Sequence, residues 1–312
     1  MSIALVIVFI FGINVAGGMS AVVENAQSLP GYLTMHTTYD PVSGTEQPYP
    51  IISIISMIAW GLGYFGMPHI LLRFMAIEDE EKLKLSRRVA TGWVVISLAV
   101  AVLIGIIGLA MTAAGELIPL EGSASETIIV KIADLMSQHG VLPALLAGTI
   151  LAGILASTMS TADSQLLAAS SSVSSDLLGD FLKKKTGKKG SMFADRITLL
   201  IIALVAVFLA RDPNSSVFNI VSFAWAGFGA VFGPVVLFAL FWKRSNWQGA
   251  LAGMISGGAM VFIWKYLVRP LGGAWDIYEL LPAFLVSCAA IIVVSLLTKA
   301  PSKEIVEEFE SV

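Results

Sequence analysis

Residues 94–111 read VVISLAVAVLIGIIGLAM, eighteen positions without one charged side chain. Wound as a helix rising about 1.5 Å per residue, such a run matches the roughly 30 Å hydrocarbon core of a bilayer. LLIIALVAVFLA at 199–210 and LVSCAAIIVVSLL at 285–297 are of the same kind. Lipid offers no partner to backbone N–H and C=O groups, so apolar runs of this length must be helices that satisfy them internally. The short alternating strands of a membrane barrel are absent from the pattern. The expected fold class is therefore all-α, a polytopic transmembrane helix bundle.

Composition agrees. The 312-residue chain is 56% hydrophobic and 13% charged, against about 45–50% and about 25% in soluble domains. A net charge of −3 excludes a nucleic-acid binder built on a basic face. The lone Cys288 can form no internal disulfide and belongs to no metal-binding spacing; it reads as a small core residue. The opening MSIALVIVFIFGINVAGG carries no charged n-region, so it is a poor secretory signal. It reads either as a first spanning helix or as the cut end of a longer chain.

Working outward, eight apolar segments are expected near residues 2–17, 49–75, 89–114, 142–173, 195–211, 216–242, 247–267 and 278–298. The polar stretch from Glu24 to Pro50 reads as an extramembrane loop. ETIIVKIADLMSQHG, at 126–140, reads as a short helix lying on the protein or at the interface. Basic clusters follow the second, fourth, sixth and eighth segments, while the opposite connections hold few cations, Arg211 and Arg269 among them. Cytoplasmic loops are the lysine- and arginine-rich ones, so the C-terminus and residue 1 are both expected to face the cytoplasm. Small residues in AGTILAGILAS and AWAGFGAVFG point to closely packed helices.

Two segments carry residue types suited to holding a solute. In the second, WGLGYFGMP at 60–68 combines three glycines with a proline, which weaken a helix and remove a donor. A break near the middle of the membrane is expected, and broken helices free backbone groups that transporters use to hold ions and small polar substrates. Trp60 and Tyr64 share a helical face. They read either as a pocket wall for a small amino acid or as ordinary interfacial aromatics.

In the fourth segment, Ser157, Ser160 and Thr161 stand at i, i+3 and i+4, again one face. The Ser157 carbonyl and the two hydroxyls make a cluster of neutral oxygens that suits a hard cation such as sodium. The competing reading is hydroxyls bonded back to the preceding turn. Asp163 reads as an ion contact or as part of a wet vestibule. Asp176, Asp180 and Lys183 to Lys185 read as a solvated helix end. His69 and Arg73 read as cytoplasmic-side features of the half-helix after the break. His36 and His139 have no partner at metal-ligand spacing. No metal other than sodium is expected. With no Walker loop, nucleophile elbow or zinc motif, an enzyme is not expected; movement of a substrate is.

WGLGYFGMPHILLRFMA, STMSTADSQLL, SFAWAGFGAVFGPVVLF, and GALAGMISG followed by YELLPAF resemble, in this order, the sodium/solute symporter family, and within it bacterial sodium/proline symporters. The resemblance covers the chain from the second segment onward, with only a generic apolar match before it. It implies a partial five-plus-five inverted-repeat core in a single transmembrane domain, 1–312. On that plan 1–18 is the last helix of the first repeat, 49–243 the second repeat, 246–298 peripheral helices and 299–312 a cytoplasmic tail. Trp60, Tyr64 and Pro68 match substrate-site positions. Ser160 and Thr161 match hydroxyl ligands of sodium, and Ser157 a backbone-carbonyl ligand. The implied function is proline uptake coupled to inward sodium movement across the cell membrane. A sibling symporter for another small solute, a sensor input domain and an inert fragment are the alternatives. Members of the family carry further helices before the first segment, including a broken one that completes the site. This chain is therefore expected to be part of a longer protein and not to transport alone.

Overall fold

Two glycines at the end of the first apolar segment turn the chain through a corner. In the computed structural model, which describes residues 2–174, 188–212 and 215–311, α1 (Ser2–Val15) meets α2 (Met19–Ser28) at 78°. Gly17 and Gly18 carry the turn at φ 92° and 102°, a region open to glycine at little cost. The stretch expected to be a loop thus begins inside α2. It then folds into a small antiparallel hairpin of β1 (Thr37–Asp40) and β2 (Thr45–Pro48), with Thr37 opposite Pro48 and Asp40 opposite Thr45.

The remaining described elements are helical. The second segment is α3 (Ile51–Ala59), a tightened 3₁₀ stretch (Trp60–Gly66) and α4 (Pro68–Met75). After it come α5 (Lys82–Ala113), α6 (Ile128–Ser137), α7 (Val141–Ser171) and α8 (Lys188–Leu209). The chain continues through α9 (Val217–Phe241), α10 (Trp247–Ile263), α11 (Leu280–Leu297) and α12 (Lys303–Ser311). Each of the eight apolar segments falls on a helix or a broken pair. Among the described residues five helices are long and apolar enough to cross a membrane, or seven spans when each bent pair counts as one. The chain is an all-α, multi-pass membrane protein. Asp176, Asp180 and Lys183 to Lys185 lie outside the described residues.

The described chain divides into two compact units. The first comprises residues 1–33, 41–44 and 79–217, and its core joins Val8 of α1 with Ile104, Ile107 and Met111 of α5. A Cβ on Gly12 would lie 2.6 Å from Ile107 Cγ2, and one on Gly108 2.6 Å from Ile128 Cδ1. Both glycines therefore let a neighbouring helix close in. The short helix expected at 126–140 is α6, which lies on the protein: Ile132, Ala133 and Met136 are fully enclosed. His139, at its end, packs edge-on against Phe11 at 5.4 Å. Helices α7 and α8 are tied through Asp195, whose carbonyl accepts the Ser170 hydroxyl at 2.7 Å and whose carboxylate accepts that of Ser174. Glu126 caps the start of α9, accepting from the Ser216 hydroxyl at 2.7 Å and the Val217 N–H at 3.0 Å. An acid is well placed there against the positive end of the helix.

The second unit comprises residues 34–40, 45–78 and 218–312. Its helices α10 and α11 meet along Gly249, Gly253 and Gly257, one every fourth residue. Cβ atoms there would fall 2.0 Å from Ser295 Oγ, 2.4 Å from Ile291 Cγ1 and 2.5 Å from the Ala230 carbonyl oxygen, the last in α9. The approach is close enough for the Ser287 hydroxyl to donate to the Gly253 carbonyl at 2.9 Å. At one end of this pair the α9–α10 turn ties off orphan backbone groups. Asn246 accepts from the Gly249 N–H at 2.9 Å and donates to Thr298 Oγ1 at 2.8 Å and the Lys299 carbonyl at 2.9 Å. Arg244 donates to the Thr298 carbonyl at 2.8 Å.

Replacing Gly253 by valine forces Ile291 and Ser287 aside and is expected to destabilise the α10–α11 pair by about 1–3 kcal/mol. Gly92→Val, where nothing lies within 4 Å, is the control. Thermal denaturation in detergent checks this; equal losses for the two variants would contradict the packing.

Candidate functional site

The break in the second segment follows from its residues. Helix α3 is an apolar run with its last residue, Ala59, buried, and from Trp60 the winding tightens through seven residues to Gly66. Met67 is extended at φ −82°, ψ 112°, as the residue before a proline tends to be. Pro68 opens α4 at the first helical position, where its missing N–H costs least. The two halves are bent by 52°. The carbonyl of Met67 is met by the N–H groups of Ile70 and Leu71, each at 3.0 Å. That of Trp60 accepts the indole Nε1–H of Trp225 at 2.9 Å. One of the backbone groups expected to be free for a solute is therefore already occupied by a side chain of α9.

The glycines of WGLGYFG have a second purpose beyond weakening the helix. A Cβ on Gly63 would overlap the Trp225 ring at 1.9 Å. On Gly66 it would lie 2.3 Å from the Phe228 carbonyl oxygen, 2.8 Å from Gly229 Cα and 2.9 Å from the Gly233 nitrogen. From the other side, a Cβ on Gly229 would reach Gly63 Cα at 2.7 Å and Leu280 Cδ1 at 2.9 Å. The broken stretch and α9 thus meet backbone to backbone.

Around this contact the aromatic residues gather. Trp60 lies nearly parallel to Phe218, Trp225 and Tyr278, with ring centroids 5.5, 5.6 and 5.8 Å away and planes 14–17° apart. Tyr64 stands edge-on to Trp225 at 4.8 Å and 84°. The predicted pair divides: Trp60 is half-buried and built into a wall of rings, while Tyr64 keeps 51% of its surface exposed. Pro68 is exposed one turn further on. Trp225, Phe218 and Tyr278 were not singled out from the sequence, although SFAWAGFGAVFG and YELLPAF contain two of them. Their contacts with Trp60 span 158 to 218 positions (218 − 60 and 278 − 60), and no local pattern announces such pairs.

The hydroxyl set lies in the other unit, on α7. There Thr161 Oγ1 donates to the Ser157 carbonyl at 3.2 Å, so the bond back to the preceding turn is present. It also brings two of the three expected donor oxygens together. Thr112, Thr149 and Thr158 make the same bond to the residue four before them, at 2.8–3.0 Å. A shallow hollow of about 350 Å³ is lined by Ser157, Thr158, Thr161, Ala162 and Gln165. Ser160 is outside that lining, and Thr158 and Gln165 join it unforeseen. Ser157, Ser160, Thr161 and Asp163 are all exposed; only 11% of the most apolar window of this span is buried, the smallest share among the five. Among the described residues no three His, Cys, Asp or Glu side chains cluster as metal ligands would.

Trp225→Phe should leave the Trp60 carbonyl without its donor and cost about 1–3 kcal/mol of stability. Gly66→Ala should cost more, since the atoms in its way are backbone. Recovery of monodisperse protein after a temperature series reads both; a Gly66→Ala protein as robust as the parent would refute the backbone contact.

Comparison with known proteins places this geometry in context. The model of the sodium:solute symporter family matches residues 1–257. The sodium/proline symporter of Haemophilus influenzae is 42% identical over 260 residues, which are 83% of this chain and 51% of that protein. The osmoregulated proline transporter of Bacillus subtilis is 42% identical over 253 residues, 81% of this chain and 49% of that one. The sodium/proline symporter of Escherichia coli is 41% identical over 261 residues, 83% and 50%. The chain spans about half the length of the curated relatives it matches. With a family match over most of its length and identities above 40% to three of the family's proline transporters, this chain belongs to the sodium:solute symporter family.

Proposed function

We propose that this chain forms part of a secondary transporter that couples inward sodium movement to uptake of proline by alternating access, moving its substrate chemically unchanged. The observation that carries the reading is the broken span at Trp60–Met67, braced by α9 and walled with aromatic rings, in a member of a sodium-coupled family. Proline combines an apolar ring with a cationic amine, and both suit an aromatic surface. Tyr64 is the side chain that would meet it, with Trp60 fixing the wall behind and Pro68 closing the motif. Ser157 through its carbonyl, and Ser160 and Thr161 through their hydroxyls, would hold the sodium ion. Names of the relatives support both halves: two are sodium/proline symporters and one is a proline transporter.

In this reading residues 49–243 act as one repeat of the core and 246–298 as peripheral helices. The protein sits in the cell membrane with its C-terminus in the cytoplasm. Support for that side comes from the second unit. Lys243, Arg244 and Lys299 gather at the end where α9 and α11 finish, with Arg244 bonded to the Thr298 carbonyl. Lys265 and Arg269, which belong to the opposite end, are both paired with Glu279. Each sodium ion moving inward would supply about 2.3 kcal/mol per 100 mV, roughly fifty-fold accumulation before its chemical gradient is counted.

The test is sodium-driven uptake of labelled proline by the full-length protein in liposomes. Ser160→Ala with Thr161→Ala should weaken sodium affinity at least about tenfold, as loss of ligand-shell groups does. Unchanged sodium dependence would sink the ion assignment, and a sugar, vitamin or other amino acid displacing proline would move the substrate to a sibling class.

A further inference from the structure

Tyr278 stands one residue before the most deeply buried carboxylate among the described residues. The Glu279 side chain is 1% exposed, and its Oε2 accepts from Arg269 Nη1 at 3.0 Å while Lys265 Nζ lies 3.8 Å from Oε1. Neither cation is free to wander. Arg269 Nε also donates to Asp276 Oδ1 at 2.8 Å, and Lys265 Nζ sits 3.8 Å above the centre of the Phe223 ring. Glu279 further occupies the N-cap position of α11, where the helix end favours negative charge. A carboxylate removed from water is tolerated only when it is paired this fully. Neither the proposed substrate site nor the proposed sodium site uses it.

Tyr278, next to it in the chain, is held by contacts of its own. The Tyr278 N–H donates to Ser56 Oγ of α3 at 3.0 Å, and its hydroxyl donates to the Ser222 carbonyl of α9 at 2.6 Å. Its ring, 6% exposed as a residue, lies nearly parallel to Trp60 at 5.8 Å. Trp264 Nε1 donates to the Ile277 carbonyl at 3.0 Å, anchoring the preceding residue to the turn that follows α10. Residues 277–279 are thereby tied to α3, α9 and the turn after α10 at once, and the remaining face of Tyr278 is spent on Trp60.

We propose that Tyr278 is a positioning residue of the substrate site, its ring fixing the plane of Trp60 and itself clamped through the buried Glu279 by Arg269 and Lys265. The role of Trp60 rests on the function proposed above; the placement of its ring does not. The connection between α10 and α11 therefore sets the geometry of the pocket wall from outside it. Without Tyr278 one of the three parallel neighbours of Trp60 is lost and the indole can turn. Substrate then binds less tightly, while the rate at saturation is little changed.

The experiment uses the full-length protein labelled with 5-fluorotryptophan, with the Trp60 fluorine resonance assigned by its loss in Trp60→Phe. Tyr278→Ala and Glu279→Gln should both shift or broaden that resonance, and Tyr278→Phe, which keeps the ring, should leave it near the parent position. In uptake, Tyr278→Ala should raise the KM for labelled proline about three- to tenfold, the size of one lost aromatic pair, with kcat nearly unchanged and Tyr278→Phe restoring KM. An unmoved resonance in either Tyr278→Ala or Glu279→Gln overturns the proposal. So does a moved resonance with an unchanged KM, or a fall confined to kcat. If the parent takes up no proline the proposed function fails separately, and the resonance alone decides whether Tyr278 places Trp60.

Discussion

A helix that breaks inside a bilayer must find partners for the backbone it frees, because lipid provides none. Here the break at Trp60–Met67 is answered by α9. The Trp225 indole occupies the Trp60 carbonyl, and Gly63 and Gly66 let the α9 backbone come to contact distance. That constraint propagates through the second unit. Gly229 and Gly233 must be small to receive the broken stretch, and Leu280 and Phe284 of α11 fill the space behind them. In turn α11 is held to α10 by the Gly249, Gly253 and Gly257 seam. An irregular span can therefore stand on neighbours that are themselves tightly packed, the arrangement expected where small residues replace the hydrophobic effect as the cause of helix association.

Most of the architecture was legible because a bilayer reads sequence coarsely. Apolar length alone located every segment, and the glycines with Pro68 announced the break before any geometry was known. Three kinds of feature escaped. The corner at Gly17–Gly18 falls where the first apolar segment was expected to end, but that a second helix, α2, follows it directly was not read from the polar residues beyond. The hairpin at 37–48 arises in a polar stretch with no strong alternation. Trp225 and Tyr278 were missed as partners of Trp60 because their meaning lies in tertiary contacts with no sequence period. The glycines themselves were read for what they take from a helix, and the structure adds what they allow against it.

The hydroxyl set illustrates a different limit. Helical spacing puts Ser157, Ser160 and Thr161 on one face; in the structure Ser157 and Thr161 line a hollow together with Thr158, Ala162 and Gln165, residues that carry no sequence period of their own. Thr161 makes the bond to the preceding turn, to the Ser157 carbonyl, that the competing reading expected. A hydroxyl that donates to its own helix still presents lone pairs to a second partner.

Coupling is a statement about free energy, so it is tested most directly at equilibrium. Calorimetric titration of the full-length protein with proline, in sodium and then in choline, measures the factor by which sodium raises proline affinity. The reverse titration measures the effect of proline on sodium. The account predicts a rise in both and the same factor in each direction, as linkage requires. Proline binding of equal affinity in the two salts would contradict it.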